Sequence, residues 1–549
     1  MQTIVAKQIS GLAGLKKARS LQKLTTGSMR LPGAMSSANQ METTLTAFHE
    51  GQTVPRKEFS STSGIDRSKD RRLNHTAAAV HQKVVPAKSV TTWISDQISN
   101  TSLSHLSDRT IHRSKRMLLD TLGVGILGFQ TDIAQNVMKT CVGLEQGSAK
   151  GNHKGSVIWG SRNMRASPAT AAYINGVSAH AMDFDDTWHP ATHPSGPTLP
   201  AIIALAESMQ GDYRPSLENI LVAYNVGIQV QGLLLRSSAS AKSIPCRFHP
   251  PAVVGVMGSA AACANLLGFG PEKCRNALGI AASFAGAPMA NAGTTTKPLH
   301  AGKAARFGLE AALLADQGIE GNSKILDMPS GFGAFYDDFN PEMLLKENVN
   351  NPEFLLHDQD IALKRFPAHL GMHWTIDAAL AVRSNLEDTL VVDNIKKVIV
   401  RAPKSKYINR PLPSSTHEAR HSFQFNACTA LLDGEVTPKS YENAQRTRRE
   451  LVNLLEKTEV QTPEDNKPSF NEMYVEVHIH MLDGSEVRGR CDTPYGHWRN
   501  PLSDADVVNK FSANTTTLAQ QRRQEIVDKV KVMSASHNAS DLARLLYAY

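Results

Sequence analysis

Hydrophobic residues recur at helical spacing from about residue 90 to residue 360. Ile111, Leu118 and Leu122 share one face of a predicted helix, and Ser107 stands where it can cap the start of that helix. The uncharged stretch 250–270 is rich in small residues, so it predicts a helix that is buried on all sides. A membrane span is the alternative for that stretch, but its turn-like flanks favour the core of a helical protein.

The pattern changes after residue 360. Residues 395–400 are typical of a β-strand, and residues 473–481 alternate apolar and polar side chains before an Asp483-Gly484 hairpin turn. Helical spacing returns around residues 505–511 and 519–532, and a short last helix is predicted near Tyr547. We therefore expect a mainly α protein, in which a large all-helical domain carries a smaller α+β domain.

Positive charge is concentrated at the amino terminus of this 549-residue chain, whose formal net charge is +8. Residues 1–40 hold six basic and no acidic residues, and residues 41–88 hold eight basic and five acidic ones, which leaves −1 for the rest. Because the chain after residue 88 is nearly neutral, we expect no nucleic-acid partner. Residues 1–45 are predicted to be a mitochondrial transit peptide, with a disordered basic tail as the alternative. Residues 46–92 are predicted to be a disordered linker.

Six cysteines are scattered along the chain without a C-x-x-C pair. This spacing argues against a disulfide framework and against a structural zinc site. We expect most of these cysteines to be buried thiols that pack as small hydrophobic side chains.

The densest polar cluster spans residues 180–196, with three acids, three histidines and several prolines that must end a helix. An active-site loop is one interpretation of this cluster. A metal site made by Asp185 or Asp186 with His189 and His193 is a second, although no H-E-x-x-H frame is present, and we expect no metal. A surface loop whose acids cap helices is the third.

Other segments place cations, imidazoles or a phenol next to predicted elements: Arg247 and His249, Lys297, Lys364 and His369, and Tyr407. Taken alone, these segments are more typical of structural features, namely a capped helix start, a solvated lysine or an exposed loop. The chain contains no phosphate-binding loop, no G-x-S-x-G elbow and no nucleophilic cysteine motif. Acid–base chemistry on an anionic small molecule fits these residue types best.

These segments together resemble the MmgE/PrpD superfamily, which includes 2-methylcitrate dehydratases. The strings most similar to the animal, itaconate-forming branch of that superfamily are MDFDDTWHPATHPSG (182–196), RFHPP (247–251), AGAPMANA (285–292), TKPLH (296–300), GFGAFY (331–336), KRFPAHL (364–370), HEARHSFQ (417–424) and YGHWR (495–499). The resemblance runs from about residue 93 to residue 545, so it does not cover the basic amino terminus.

The resemblance implies a helical domain of residues 93–361 and 496–549, an α+β lid domain of residues 362–495, and a homodimer with its active site between the two domains. It also implies the cofactor-free decarboxylation of cis-aconitate to itaconate and CO2, with an allylic double-bond shift and a link to innate immune metabolism. A 2-methylcitrate-type dehydratase and a non-catalytic metabolite-binding homologue are the alternatives. No membrane partner is expected.

Matched position by position, the resemblance implies a set of catalytic residues: His193, Asp183, His249, Lys297 and Tyr407. The expected substrate-binding residues are Lys364, Arg247 and His369. In this assignment His193 delivers the proton, His249 is the second choice for that role, and Asp183 orients an imidazole or holds its charge. The lysines would neutralise the retained carboxylates, since the substrate is its own electron sink.

Overall fold

The computed structural model describes residues 89–145, 155–188, 192–209, 211, 214–238, 247–348, 353–386, 390–405 and 409–548. The predicted transit peptide and nearly all of the predicted linker lie outside these residues. The first described helix begins at Val90, because the Ser89 side chain accepts a hydrogen bond from the Thr92 backbone and caps it. The last residues of the predicted linker, 90–92, are therefore helical, which corrects that boundary.

A first hydrophobic core is formed by helices from residues 90–363 and from the carboxyl-terminal segment. The helices before residue 360 are α1 (Val90–Asn100), α2 (Asp108–Gly128), α3 (Asp132–Glu145), α4 (Pro168–His180), α5 (Ser195–Ser208), α6 (Leu217–Arg236), α7 (Val254–Leu266), α8 (Pro271–Phe284), α9 (Lys297–Asp316), α10 (Glu342–Asn348) and α11 (Leu355–Asp358). Among these helices lies a short antiparallel pair of strands, β1 (Ser156–Val157) and β2 (Arg165–Ala166), where only helix was predicted.

Two predictions for this core are confirmed. The Ser107 side chain accepts a hydrogen bond from the Thr110 backbone and caps α2. The small-residue stretch forms α7, which is buried along almost its whole length. Among the described residues no single helix has the length and hydropathy of a membrane span, although α2 and α3, bent by 81°, pass that test when joined.

Glycines set how closely the central helices pack. A Cβ atom added to Gly302 in α9 would lie 2.5 Å from the Tyr173 carbonyl oxygen of α4, and one added to Gly176 in α4 would lie 2.9 Å from the Gly302 Cα. Glycine therefore lets the two backbones approach directly. This contact fixes the end of α4 against the start of α9, and both of those positions supply residues to the site.

A second hydrophobic core lies within residues 362–491. Its elements are α12 (Met372–Ser384), β3 (Ile395–Arg401), α13 (Thr416–Ala419), α14 (Phe423–Asp433), α15 (Asn443–Arg446), α16 (Arg449–Glu456), β4 (Thr458–Gln461), β5 (Val475–Met481) and β6 (Glu486–Cys491). The strand order is β4-β3-β5-β6, with β3 parallel to β4 and antiparallel to β5. The β5–β6 hairpin is confirmed, since Val475 pairs with Cys491.

The chain then returns to the first core through α17 (Asp504–Asn514), α18 (Gln520–Val532) and α19 (Ala539–Ala543). The sequence pattern predicts a last helix near Tyr547. The last described helix, α19, ends four residues before Tyr547. Cys263, Cys274, Cys428 and Cys491 are buried free thiols, as expected from their spacing.

Candidate active site

The candidate site lies where the connection between α4 and α5 meets the segment that leads into α12. The backbones of Thr187 and Ala362 exchange two hydrogen bonds, of 2.9 and 3.1 Å. Ala362 belongs to the second core, whereas Leu363 and Trp188 belong to the first. Side chains supplied by both cores therefore meet here.

Asp183 is the charged centre of the site. Lys297 donates from Nζ to Asp183 Oδ2 at 2.6 Å, and Lys364 donates to Asp183 Oδ1 and, at 2.8 Å, to its backbone carbonyl. Burial would raise the pKa of Asp183, but the two lysines overcome burial and hold that pKa well below its usual value. The backbone of Asp183 has φ = +52°, a left-handed conformation that is uncommon outside glycine and often marks functional sites.

Two imidazoles share a second carboxylate, that of Asp185. His180 Nδ1 lies 2.8 Å from Asp185 Oδ2, and His193 Nδ1 lies 3.4 Å from the same oxygen. His193 Nδ1 also lies 2.9 Å from the Asp186 carbonyl oxygen. That carbonyl can only accept, so His193 Nδ1 carries a proton and Nε2 remains for chemistry.

Asp186 connects the segment between α4 and α5 to the start of α5. Ser195 donates to Asp186 through its hydroxyl and, at 3.4 Å, through its backbone N–H, and the Ser195 hydroxyl also contacts the Tyr224 hydroxyl. Burial raises the pKa of Asp186 to about 8, despite the hydrogen bonds from Ser195 that lower it. The hydrogen bonds among Asp186, Ser195 and Tyr224 therefore fix the position of the Asp186 backbone carbonyl, which orients His193.

His249 and His300 form the next part of the site, with 3.1 Å between their Nδ1 atoms. His249 immediately precedes a short 3-10 turn before α7, and Lys297 is the first residue of α9. Burial lowers the pKa of His249 well below its usual value, and Lys297 adds to that effect. His249 is therefore a neutral imidazole when no anion is bound.

The second core contributes three histidines. His421 Nε2 lies 3.5 Å from Asp183 Oδ2, and its Nδ1 lies 2.9 Å from the His417 carbonyl oxygen. The ring centroids of His369 and His421 are 5.2 Å apart. Burial lowers the pKa of His369 to about 3, although Asp183 opposes this, and burial lowers that of His417 to about 4.

The structure brings together most of the residues that the sequence predicted. Asp183, His193, His249, Lys297 and Lys364 surround one space, and His369 adjoins it through His421. The closest partners of Asp183 are the two lysines, and His421 Nε2 lies 3.5 Å from its carboxylate, whereas the carboxylate next to His193 is that of Asp185. The role of Asp183 in orienting an imidazole stays a prediction.

Arg247, one of the predicted substrate ligands, stands apart from this group. The Arg247 side chain is 47% exposed and lies 3.0 Å from an Asp337 oxygen, so it is directed toward that acid. Its role as a substrate ligand stays a prediction. Tyr407 lies outside the described residues, as does His189 of the metal interpretation.

Sequence reasoning did not assign several site residues that the structure reveals, namely His180, His300, His417 and His421, and it named Asp185 only for the metal interpretation. His180 and Asp185 were inside the polar cluster, but their spacing alone did not indicate which side chains turn inward. His417 and His421 lie four residues apart, a spacing that puts both on one side of a helical turn. Both residues are far from Asp183 in the sequence, so the contact between His421 and Asp183 could not be predicted.

The arrangement suits an anion with several carboxylates. Two lysines can each pair with a carboxylate, and neutral imidazoles beside them can take up or deliver protons. Among the described residues, two sets of three groups offer ligand atoms within 4.8 Å of one another: His180, His193 and His249, and Asp183, Asp185 and His193. In the second set both carboxylates already hold cations or imidazoles.

Two family models match the chain. The MmgE/PrpD N-terminal domain matches residues 92–342, and the MmgE/PrpD C-terminal domain matches residues 366–532. Lys297 lies in the first matched range and His369 in the second, so the site draws on both.

Similar proteins carry the name cis-aconitate decarboxylase. One from Homo sapiens is 47% identical over 463 residues, which cover 84% of this chain and 95% of that protein. One from Mus musculus is 47% identical over 464 residues, covering 84% and 93%. A more distant one from Aspergillus terreus is 24% identical over 488 residues, covering 84% and 96%.

Proposed function

The chain belongs to the MmgE/PrpD family, and we propose that it converts cis-aconitate to itaconate and CO2 without a bound cofactor. The observation that carries the proposal is the pairing of Lys297 and Lys364 on Asp183, beside several neutral imidazoles. That arrangement suits a tricarboxylate, and the similar proteins of Homo sapiens and Mus musculus are named for this reaction.

The chemistry can proceed on the substrate itself. The bond between the CH2 carbon and its carboxylate breaks and releases CO2, and its electron pair enters an allylic system conjugated with a remaining carboxylate. A proton then adds at the far alkene carbon, which moves the double bond. In sum, the cis-aconitate trianion and one proton give the itaconate dianion and CO2.

We assign the binding of the retained carboxylates to Lys297 and Lys364. Their ammonium groups are buried and fixed by Asp183, so they are preorganised to stabilise the charge that develops on the carboxylates. Preorganised donors of this kind typically contribute about 10²–10³-fold in rate.

We assign the delivery of the proton to His193, with His249 as the second candidate. The Asp186 carbonyl holds Nδ1 of His193, so the proton moves from Nε2 of the imidazolium form. Asp185, 3.4 Å from Nδ1, stabilises that cation. A positioned acid of this kind typically contributes about 10²–10⁴-fold.

The direct test is turnover by the purified full-length chain after dialysis against a strong chelator. We expect itaconate and CO2 in equal amounts from cis-aconitate, and no dehydration of 2-methylcitrate in a parallel reaction. Water loss from 2-methylcitrate without CO2 release from cis-aconitate would instead indicate the dehydratase. Binding without turnover of either compound would indicate a non-catalytic homologue.

We further propose that residues 362–495 act as a lid over the substrate, because Lys364 and His369 reach the site from that segment. Slower backbone hydrogen exchange in this segment with a tricarboxylate bound would support closure. A homodimer is also proposed, and sedimentation equilibrium of the purified chain tests it.

We also propose import into mitochondria through residues 1–45, on the basis of their composition. A fusion of residues 1–45 to a reporter should reach mitochondria, and a cytosolic fusion would contradict this. The link to innate immune metabolism is likewise a proposal, and induction of the transcript by bacterial challenge is the measurement that tests it.

A further inference from the structure

Three imidazoles converge in the candidate site: His180 and His193 come from the polar cluster at residues 180–196, and His249 comes from the segment before α7. The ring centroid of His193 lies 4.5 Å from that of His180 and 6.3 Å from that of His249, and the His180 and His249 centroids are 5.8 Å apart. One ring nitrogen from each of the three lies within 4.8 Å of the others. Such a cluster has the ligand types and the number of ligands of a three-histidine metal site.

Two of these rings are held in orientation by hydrogen-bond acceptors that lie next to their Nδ1 atoms. His180 Nδ1 lies 2.8 Å from the Asp185 carboxylate, and His193 Nδ1 lies 2.9 Å from the Asp186 carbonyl oxygen. Metal-binding histidines are held in this way, with the second nitrogen donating to a carboxylate or a carbonyl. The Nε2 atoms are thereby left for another partner.

His180 supplies an independent observation. Its side chain is completely buried, and its Nε2 atom has no hydrogen-bond partner among the described residues. A buried polar atom without a partner is costly unless a water, an ion or a ligand satisfies it. His193 and His249 are the imidazoles next to it.

We propose that His180, His193 and His249 bind one divalent transition-metal ion, with Zn²⁺ the best fit, and that the bound ion inhibits the enzyme. Imidazole ligands select Zn²⁺, Cu²⁺ or Ni²⁺ over Mg²⁺ and Ca²⁺. Zn–N distances of about 2.0–2.1 Å place tetrahedral ligand atoms about 3.4 Å apart, so the rings must close by roughly an ångström. The fourth position is open to water or to a carboxylate.

Inhibition follows from which nitrogen the ion occupies. A metal on Nε2 of His193 removes the lone pair that must carry the proton to the substrate. This step rests on the proposed function, whereas metal binding itself does not. The ion would also add positive charge next to Lys297, so a carboxylate ligand held only by the lysines would be repositioned.

Binding is tested first, without any turnover. The metal-free, full-length protein is titrated with Co²⁺, whose visible absorption reports four-coordinate nitrogen ligation, and Zn²⁺ is then added to displace it. We expect one equivalent per chain, and at least tenfold weaker binding in His180→Gln and His249→Gln. His112→Gln and Cys141→Ser serve as matched controls, since His112 is exposed on α2 and Cys141 is a thiol on α3.

X-ray absorption of the Zn²⁺-loaded wild-type protein supports or overturns the site without any variant. Three imidazole ligands at about 2.0–2.1 Å and no sulfur ligand at about 2.3 Å are expected. Sulfur ligation, fewer than two imidazoles, or equal binding by wild-type and His249→Gln proteins would overturn the proposal.

Inhibition is tested second, at free Zn²⁺ concentrations set by a metal buffer because the substrate itself chelates metals. Turnover of cis-aconitate should fall as the high-affinity site fills, return after a chelator is added, and be unaffected by Mg²⁺. A chain that binds Zn²⁺ but never turns over cis-aconitate contradicts the proposed function and leaves the metal site standing. Full activity with the site occupied overturns the inhibitory role.

Discussion

The ammonium nitrogen of Lys297 lies 2.6 Å from Oδ2 of Asp183, and Lys364 occupies the other oxygen of the same carboxylate. One buried acid therefore separates two buried cations that would otherwise repel each other. The two lysines and Asp183 together carry one net positive charge, which the nearby carboxylate of Asp185 offsets. Asp183 thus keeps both lysines in place for a substrate that brings several carboxylates.

Asp183→Asn should lower both stability and turnover. Removing the carboxylate leaves two buried ammonium groups without their partner, and breaking a buried ion pair typically costs about 3–5 kcal/mol. A tricarboxylate should restore part of this loss, so tricarballylate should raise the Tm of the variant more than that of wild type. Differential scanning fluorimetry with and without the ligand measures both effects.

Asp504→Asn is the matched control for that variant. Asp504 pairs with Arg116 and His112 on the surface and is 64% exposed. Exposed ion pairs contribute about 0–1 kcal/mol, so this variant should keep its turnover and its ligand response. A tricarballylate response in Asp183→Asn no greater than that in Asp504→Asn would contradict the role given to Asp183.

His193→Gln should keep the fold and lose about 10²–10⁴-fold in turnover, the usual contribution of a positioned acid. Glutamine can still donate to the Asp186 carbonyl, so the loop should stay in place. Steady-state rates of CO2 release measure the loss, and His112→Gln is the exposed control. A loss smaller than tenfold would contradict the role of His193 and would indicate that His249 delivers the proton.

Local patterns predicted the helical class of residues 90–360 and several individual elements, because helix spacing, the Ser107 cap and the Asp483-Gly484 turn are encoded in neighbouring residues. The β1–β2 pair escaped prediction because strands of two residues carry no periodicity. The parallel partner of β3, strand β4, escaped for a different reason: its pairing depends on the intervening α16.

Motif resemblance predicted the identity of the central site residues but not their partners. Asp183 and Asp185 are two residues apart, and nothing in their order indicates that one holds lysines and the other holds imidazoles. Asp183 has a left-handed backbone, with φ = +52°, and its side chain contacts Lys297 at the start of α9. Contacts of this kind across distant segments are settled only by the packed fold.

Gly302→Ala should destabilise the protein by about 1–3 kcal/mol, the usual cost of overpacking. Its new Cβ would lie 2.5 Å from the Tyr173 carbonyl oxygen, which is backbone and cannot rotate away. Gly143→Ala on α3 is the matched control, since nothing lies within 4 Å of its Cβ position and alanine favours helix by about 0.5–1 kcal/mol. Urea denaturation of both variants should give changes of opposite sign.

Folding stability should fall as the pH is lowered from about 6.5 toward 4. Burial lowers the pKa of His180 to about 4 and that of His369 to about 3, against an ordinary value of 6.5. The unfolded chain therefore binds more protons in that window, and each such proton contributes about 1.4 kcal/mol per pH unit. His369→Gln should make the dependence shallower in urea denaturation, and an unchanged slope would contradict the assignment.

The contribution of Asp186 to folding stability should depend on pH in the opposite direction from that of the histidines. Burial raises its pKa to about 8, above the ordinary 3.8, so the folded protein holds a proton that the unfolded chain releases. The stability that this proton contributes is complete below pH 3.8 and is lost as the pH rises through about 8. The buried histidines outnumber Asp186 below pH 6.5, so maximal stability is expected between about pH 6.5 and 8. Asp186→Asn should make the decline on the alkaline side shallower, and burial also raises the pKa of Asp120, Glu207 and Asp377.

Binding of a tricarboxylate should draw protons from solution. Lys297 and Lys364 are balanced by Asp183 and Asp185, and the imidazole of His249 is neutral when no ligand is bound. A trianion placed in this nearly uncharged cleft raises the pKa of the imidazoles around it, so their protonation becomes favourable at pH 7.

Isothermal titration calorimetry with tricarballylate, in two buffers of different ionisation enthalpy, counts these protons. We expect an uptake of about one proton or more at pH 7, together with affinity that increases as the pH falls toward 6. His249→Gln should reduce the uptake, whereas His112→Gln on the surface should not. If no protons are taken up, the substrate charge must be met by cations alone, and a histidine could not be protonated in response to the substrate.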